Sequence, residues 1–123
     1  MLVVEDDEDV RELVVMTLST LGYRVLGAAD GREALSILRN GEPVDLLFTD
    51  VVMPQGLSGI DLAKEARRQR SGVEILLTTG YARQALAQDA DEEIPILQKP
   101  YRREDLADEI HRVLTGTSRE TSQ

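Results

Sequence analysis

The sequence predicts an α/β fold, a doubly wound five-stranded parallel sheet with helices on both faces. Three observations carry this. Five short apolar runs, each too short for a helix, alternate with stretches of helical spacing. Crossovers between parallel strands are almost always right-handed, which lays helices on both sides of one sheet. The runs are also continuous in Val, Ile and Leu where a half-exposed strand would alternate, and Leu46, Leu47 and Phe48 in a row predict a central strand covered on both faces.

The elements follow in order. A strand over Leu2 to Val4 leads into a helix over about Glu8 to Leu21, with Val10, Leu13, Val14, Thr17, Leu18 and Leu21 at the offsets of one buried face and Gly22 as the stop. A second strand, Tyr23 to Ala28, precedes a helix over Gly31 to Asn40, opened by Asp30 and Glu33 as a capping box and closed by Gly41 with Pro43 beyond. The third strand is Val44 to Thr49. The third helix begins near Ser58 as cap, carries Ile60, Ala63 and Ala66 on one side and ends by Gly72. Val73 to Thr78 is the fourth strand, followed by a weaker helix over about Ala82 to Ala90 and a fifth strand over Ile94 to Leu97. The last helix, Arg103 to Thr115, places Leu106, Ile110, Val113 and Leu114 on one face and stops at Gly116. One domain over residues 1–116 is expected, with a flexible polar tail over 117–123 that has nothing to bury.

Composition agrees with a single domain: 123 residues, 41% apolar beside 30% charged, describe a globular chain with one core. A formal charge of −9 argues against nonspecific binding to nucleic acid or anionic membrane, which needs a basic face. Basic partner surfaces or metal cations fit better. The longest apolar runs, such as Leu13 to Met16, fall far below the roughly 20 residues of a bilayer span, and the N-terminus lacks the pattern of a signal peptide. The absence of Cys agrees with a reducing compartment, so a cytoplasmic location is expected.

Ligands of an open α/β sheet sit beyond the carboxyl ends of the strands. Here those ends carry Glu5-Asp6-Asp7, Asp50, Thr78-Thr79-Gly80 and Gln98-Lys99-Pro100. Capping and the helix dipole account for Asp7, Glu8 and Asp9. They account less well for Glu5 and Asp6, although taken alone this acidic pair reads equally as a helix cap. Should Asp50 converge on them, three carboxylates share one small site, where repulsion calls for a cation, and all-oxygen ligands suit Mg²⁺. Asp50 follows an apolar strand, so its carboxylate emerges at the mouth of the core. A carboxylate there can act as a nucleophile toward phosphorus, or serve simply as a turn residue leading into Met53-Pro54. Lys99 can balance a phosphate as a point charge or pair with the acids, and Thr79 can bond a phosphate oxygen or end a strand.

Together Leu2-Val3-Val4-Glu5-Asp6-Asp7, Phe48-Thr49-Asp50-Val51-Val52-Met53-Pro54, Leu77-Thr78-Thr79-Gly80-Tyr81-Ala82 and Gln98-Lys99-Pro100 resemble the receiver domain of two-component response regulators, from Leu2 to about Leu114. The resemblance implies a (βα)5 flavodoxin-like fold. It makes Asp50 the phosphoacceptor, Asp6 a direct Mg²⁺ ligand, Glu5 a ligand directly or through water, and the Val52 carbonyl a further ligand. Thr79 becomes the switch hydroxyl and Lys99 the phosphate-binding lysine, joined to Pro100 by a cis bond. The implied partner is a histidine kinase or histidine phosphotransfer domain, with a homodimer through the fourth helix, fifth strand and fifth helix as a family-level option. Leu86, Ile96 and Tyr101 are candidates for the readout surface.

Departures from the family pattern are informative. Ile96 stands where many receivers have Tyr or Phe, which excludes aromatic gating, and the loop between Pro54 and Gly59 is one residue longer than usual. Val52 and Tyr81 occupy positions that influence attack of water, so a fairly long-lived phosphoryl group is expected. Such a domain catalyses its own phosphorylation and slow dephosphorylation without being a conventional turnover enzyme. The motifs around Thr79 and Lys99 resemble receivers fused behind sensor histidine kinases, and Met1 abuts the first strand, so the receiver portion of a hybrid kinase is expected, with a stand-alone regulator as the alternative. Other classes fit less well. A dehalogenase-like phosphohydrolase needs an acid at Val52, and a nucleotide binder needs a Gly-rich first turn where this chain is acidic. A phosphorylation-independent module does not need the five site residues together. No DNA-binding helix-turn-helix follows the last helix, and the lone His111 is assigned no role.

Overall fold

The computed structural model describes residues 1–53, 57–80 and 94–116. Within them the chain runs β1 (Leu2–Val4), α1 (Glu8–Thr20), β2 (Leu26–Ala28), α2 (Gly31–Arg39), β3 (Leu46–Asp50), α3 (Gly59–Gln69), β4 (Glu74–Thr79), β5 (Ile96–Gln98) and α4 (Arg103–Thr115), the last being the fifth helix of the sequence reading. The expected helix over Ala82 to Ala90, Tyr81, Leu86, most of the Pro54 to Gly59 loop and the 117–123 tail lie outside the described residues. All four ladders are parallel and the strand order is β2-β1-β3-β4-β5, the flavodoxin-like doubly wound order. Its direction reverses between β1 and β3, so the carboxyl ends of those two strands flank the crevice.

Strand alternation divides the core. Leu2, Val4, Leu47, Ile75 and Leu77 pack with Leu35 and Leu38 of α2 and with Ile60, Ala63 and Ala66 of α3. Val3, Leu46, Phe48 and Leu76 pack on the other side with Val14 and Leu18 of α1 and Leu106 and Ile110 of α4. The central strand β3 is buried throughout, as the Leu46-Leu47-Phe48 run predicts. Capping also follows the sequence. The Asp7 side chain accepts from Val10 N at 3.0 Å, Asp30 from Glu33 N at 2.8 Å and Ser58 from Asp61 N at 3.1 Å, each worth about 1 kcal/mol. The Glu33 carboxylate reaches back to Ala29 N at 2.6 Å, one residue earlier than a standard capping box. Gly22, Gly41 and Gly116 have positive φ just past their helices, where a side chain would be strained.

Three expectations need correction. First, the predicted buried face of α1 is only partly inward: Val14 and Leu18 are buried, whereas Val10 and Leu21 are exposed, Leu13 is 63% exposed and Thr17 is half-buried. The fully buried residues of the helix form a single i, i+4 row, with half-buried Val15 on its other flank, and Val10, Leu13 and Met16 are left on the rim of a groove toward α4. Second, β2 begins at Leu26, not Tyr23. Its only strand neighbour among the described residues, β1, offers three residues of ladder, and Tyr23 N donates instead to Leu18 O at the end of α1. Third, β3 and β4 run one residue further than predicted, through Asp50 and Thr79, while β5 covers Ile96–Gln98. The consequence is functional: Asp50 and Thr79 stand on rigid strand ends and not on loops.

Candidate functional site

Four of the five strand ends meet at one end of the sheet. Register places Asp50 opposite Thr78, and Thr79 opposite Gln98, one residue before Lys99. Asp50 Oδ2 accepts from Lys99 Nζ at 2.6 Å, and Oδ1 accepts from Val52 N at 3.1 Å. The carboxylate is thus held by a cation on one side and by its own following turn on the other, with the residue 9% exposed. Glu5, 7% exposed, receives Asp7 N on Oε2 at 3.0 Å and brings Oε1 to 3.8 Å from Lys99 Nζ. One ammonium therefore bridges carboxylates from the ends of β1 and β3. Asp6, next along, is exposed.

Lys99 is fixed through its backbone as well, its N–H donating to Thr79 O at 2.8 Å, and its bond to Pro100 is cis as expected. Thr78 turns its hydroxyl to Leu97 O at 2.9 Å, tying β4 to β5, while Thr79 is fully buried beside it. Val52 is half-exposed at the mouth of the site. Among the candidates, Asp50, Glu5, Lys99, Thr79 and Val52 thus gather at the strand ends, with Asp6 on the adjoining turn.

Electrostatics follow from that crowding. Burial raises the Glu5 carboxyl above its ordinary range. The Asp7 N–H opposes this, the Asp6 carboxyl adds to it, Lys99 opposes it and the Asp50 charge adds again. Burial works against the Lys99 ammonium, yet the hydrogen bond and charge of Asp50, with Glu5 and Asp6 behind it, hold its pKa above the usual lysine value. Burial drives the rise for Glu5 and the carboxylates drive it for Lys99, in a site that sets three carboxylates against one ammonium. Hard oxygen donors with uncompensated charge suit Mg²⁺ in chemistry. Among the described residues no three acidic or His side chains are gathered closely enough to enclose an ion as they stand.

Tyr101 was noted in the sequence only as a surface candidate, yet it senses the same field. It is half-buried, packs edge-on against Phe48 with ring centroids 6.3 Å apart, and is pushed up to about 12 by burial and by the charges of Glu5 and Asp50. The folded chain holds the proton that the unfolded chain releases near 10, so stability is full below about pH 10 and falls as pH rises through 12. In a rapid pH-jump absorbance titration, the Tyr101 phenol should ionise late. The late phase should vanish in Tyr101→Phe, and its survival there would show that another tyrosine carries it.

A buried carboxylate thus sits at the switch point of a doubly wound sheet, paired to a lysine just past the edge strand β5. Residues 1–111 match the family model described as the response regulator receiver domain, and the chain belongs to that family. It is 38% identical over 115 residues to the response regulator receiver protein CpdR of Brucella abortus, covering 92% of this chain and 94% of that protein. It is 37% identical over 116 residues to the sensor kinase CckA of the same organism, covering 92% of this chain but 12% of the kinase. Among solved structures, the receiver domain of the hybrid histidine kinase CckA matches with a TM-score of 0.77 at 36% identity, over 92% of this chain and 96% of that one. A receiver protein from Sinorhizobium medicae reaches a TM-score of 0.86 at 24% identity, over 95% and 94% of the two chains, a likeness of fold. The chain is thus a two-component receiver, a class that works with histidine kinases or phosphotransfer proteins and is generally Mg²⁺-dependent in phosphorylation. No helix among the described residues is long and apolar enough to cross a membrane.

Proposed function

We propose that this receiver takes a phosphoryl group from a phosphohistidine onto Asp50 and reads it out through a partner face. The observation that carries the reading is the Asp50 carboxylate, buried at the sheet's mouth and held between Lys99 Nζ at 2.6 Å and Val52 N at 3.1 Å. The carboxylate attacks phosphorus, the P–N bond to the imidazole breaks, and the histidine leaves with the bonding pair. Lys99 follows the charge from the carboxylate to the phosphoryl oxygens, and Thr79 supplies its hydroxyl from the next strand end. The side chains of Glu5, Asp6 and Asp50 with the Val52 carbonyl would hold Mg²⁺, which when bound neutralises phosphoryl charge. Motion of Lys99 and Thr79 repacks β5 and α4, a population shift between two packings.

The donor has a surface to meet. A groove of about 950 Å³ opens beside Lys99 between α1 and the β5–α4 turn, lined by Val10, Leu13, Met16, Pro100 and Tyr101 among others. Its exposed apolar rim supports docking of a histidine kinase or histidine phosphotransfer domain there. Ile96, by contrast, is half-buried against the α2 and α3 side of the core, and residues 81–93, part of the expected homodimer face, lie outside those described. Relatives represent both contexts, a protein of receiver length and a sensor kinase of which the receiver is a small part, and the chemistry proposed holds in either. A cytoplasmic location is part of the same proposal.

Intact mass after incubation with acetyl phosphate tests the reading. One added phosphoryl group is expected with Mg²⁺ and none in a chelated sample. Absence of an adduct while Mg²⁺ binds would favour a phosphorylation-independent module, and steady phosphate release without an adduct would favour the hydrolase.

A further inference from the structure

The acidic turn after β1 is held by a cation that comes from α1. Arg11 Nη1 donates to the Glu5 carbonyl oxygen at 2.8 Å. With that bond every polar group of Glu5 is engaged: its N–H donates to Ala28 O at 3.0 Å, its Oε2 accepts Asp7 N at 3.0 Å, and its Oε1 faces Lys99 at 3.8 Å. The carbonyl that Arg11 holds belongs to the peptide joining Glu5 to Asp6, the unit from which both side chains leave. Its stem has a prepared path. A Cβ on Gly27 of β2 would lie 3.3 Å from Arg11 Cδ, tighter than ordinary contact, and 3.5 Å from Cγ, and a larger side chain would occupy the stem's place.

We propose that Arg11 is a positioning residue for the divalent cation, acting through the Glu5–Asp6 peptide; this rests on the Mg²⁺ reading above. Charge and positioning make opposite predictions. Arg11 brings a positive charge toward an acidic site, so if it acted only as a charge, its removal would strengthen Mg²⁺ binding. If it acts as a brace, removal frees the turn and weakens binding, as loss of groups behind metal ligands typically does by about 10- to 100-fold.

The test is isothermal titration of Mg²⁺ into the unphosphorylated chain for wild type, Arg11→Ala and Gly27→Val, with melting in chelator as a separate measure of fold. Both variants should bind Mg²⁺ about tenfold more weakly. The Mg²⁺ concentration that half-saturates phosphorylation should rise in parallel, while the rate at saturating Mg²⁺ stays within about twofold of wild type. A merely structural role would lower melting in chelator and leave Mg²⁺ affinity alone. Gly27→Val keeps the guanidinium but displaces its stem, so it tests the idea even if Arg11→Ala folds poorly. Unchanged or tighter Mg²⁺ binding in the variants overturns the inference while leaving the Mg²⁺ reading intact. A wild-type chain with no Mg²⁺ affinity overturns both.

Discussion

Asp50→Asn should abolish the phosphoryl adduct while leaving a folded domain. Among the described residues, the Asp50 carboxyl group is the one in the site that is buried and fixed on a strand end by two donors, Lys99 Nζ at 2.6 Å and Val52 N at 3.1 Å. An amide is no nucleophile toward phosphorus, so the rate should fall by on the order of 10⁴-fold or more, the scale seen when an attacking group is removed. Folding should survive because the change also relieves repulsion between Asp50 and Glu5, and Lys99 keeps Glu5 as a partner at 3.8 Å. One cost remains. The amide offers a single acceptor where the carboxylate offered two, so either Lys99 or Val52 N faces an NH₂ group. Near-wild-type melting with no mass increase in acetyl phosphate is the expected result. An adduct that persists in the variant would assign the chemistry elsewhere, and peptide mapping would then show whether Asp6 or Thr79 carries it.

The sequence was informative where one residue type does one local job. Asp7, Asp30 and Ser58 cap their helices because a short acceptor ahead of an apolar stripe has few other uses, and β3 is central because only a doubly covered strand tolerates Leu46-Leu47-Phe48. Asp50 and Lys99 were legible because the carboxyl ends of parallel strands converge whatever lies between them, and 49 residues of separation collapse to one 2.6 Å contact. What escaped depended on three-dimensional neighbours. Helical spacing marks an apolar stripe on α1 but not its rotation over the sheet, so Leu13 reads as core and stands 63% exposed. Nothing in the sequence singles out Arg11, since its spacing does not show that Gly27 clears a path to the Glu5 carbonyl. The bounds of the last helix, Arg103–Thr115, were legible, but its cap was not: the Arg102 N–H donates to the Asp105 carboxylate, three residues ahead, and Arg102 is not a residue of the usual capping type.

Gly59 is the residue whose importance only the fold reveals, and its substitution should cause the largest loss of stability. It opens α3, and its N–H donates to Val51 O at 2.8 Å, so the helix starts directly against the end of β3. A Cβ built there would lie 2.1 Å from Asp50 O and 2.8 Å from both Asp50 C and Val51 Cα. Those are backbone atoms, and no rotamer change can relieve the overlap. The two escapes are to lift α3, which unpacks Ile60, Leu62 and Ala63 from the core, or to bend the strand end that carries Asp50. In an open helix Ala would gain about 1 kcal/mol over Gly. Here the overlap reverses the sign, and Gly59→Ala should cost about 3 kcal/mol, the upper end of overpacking in a well-filled site. Gly72→Ala is the control, because nothing lies within 4 Å of a Cβ there and its backbone needs no positive φ. Urea unfolding should show Gly59→Ala shifted to a much lower midpoint and Gly72→Ala close to wild type. Phosphorylation of Gly59→Ala should slow as well under conditions where it remains folded, since the same displacement moves the Asp50 main chain. A wild-type midpoint for Gly59→Ala would mean that α3 does not press on β3 at this point, and the rigid seat argued for Asp50 would lose one of its walls.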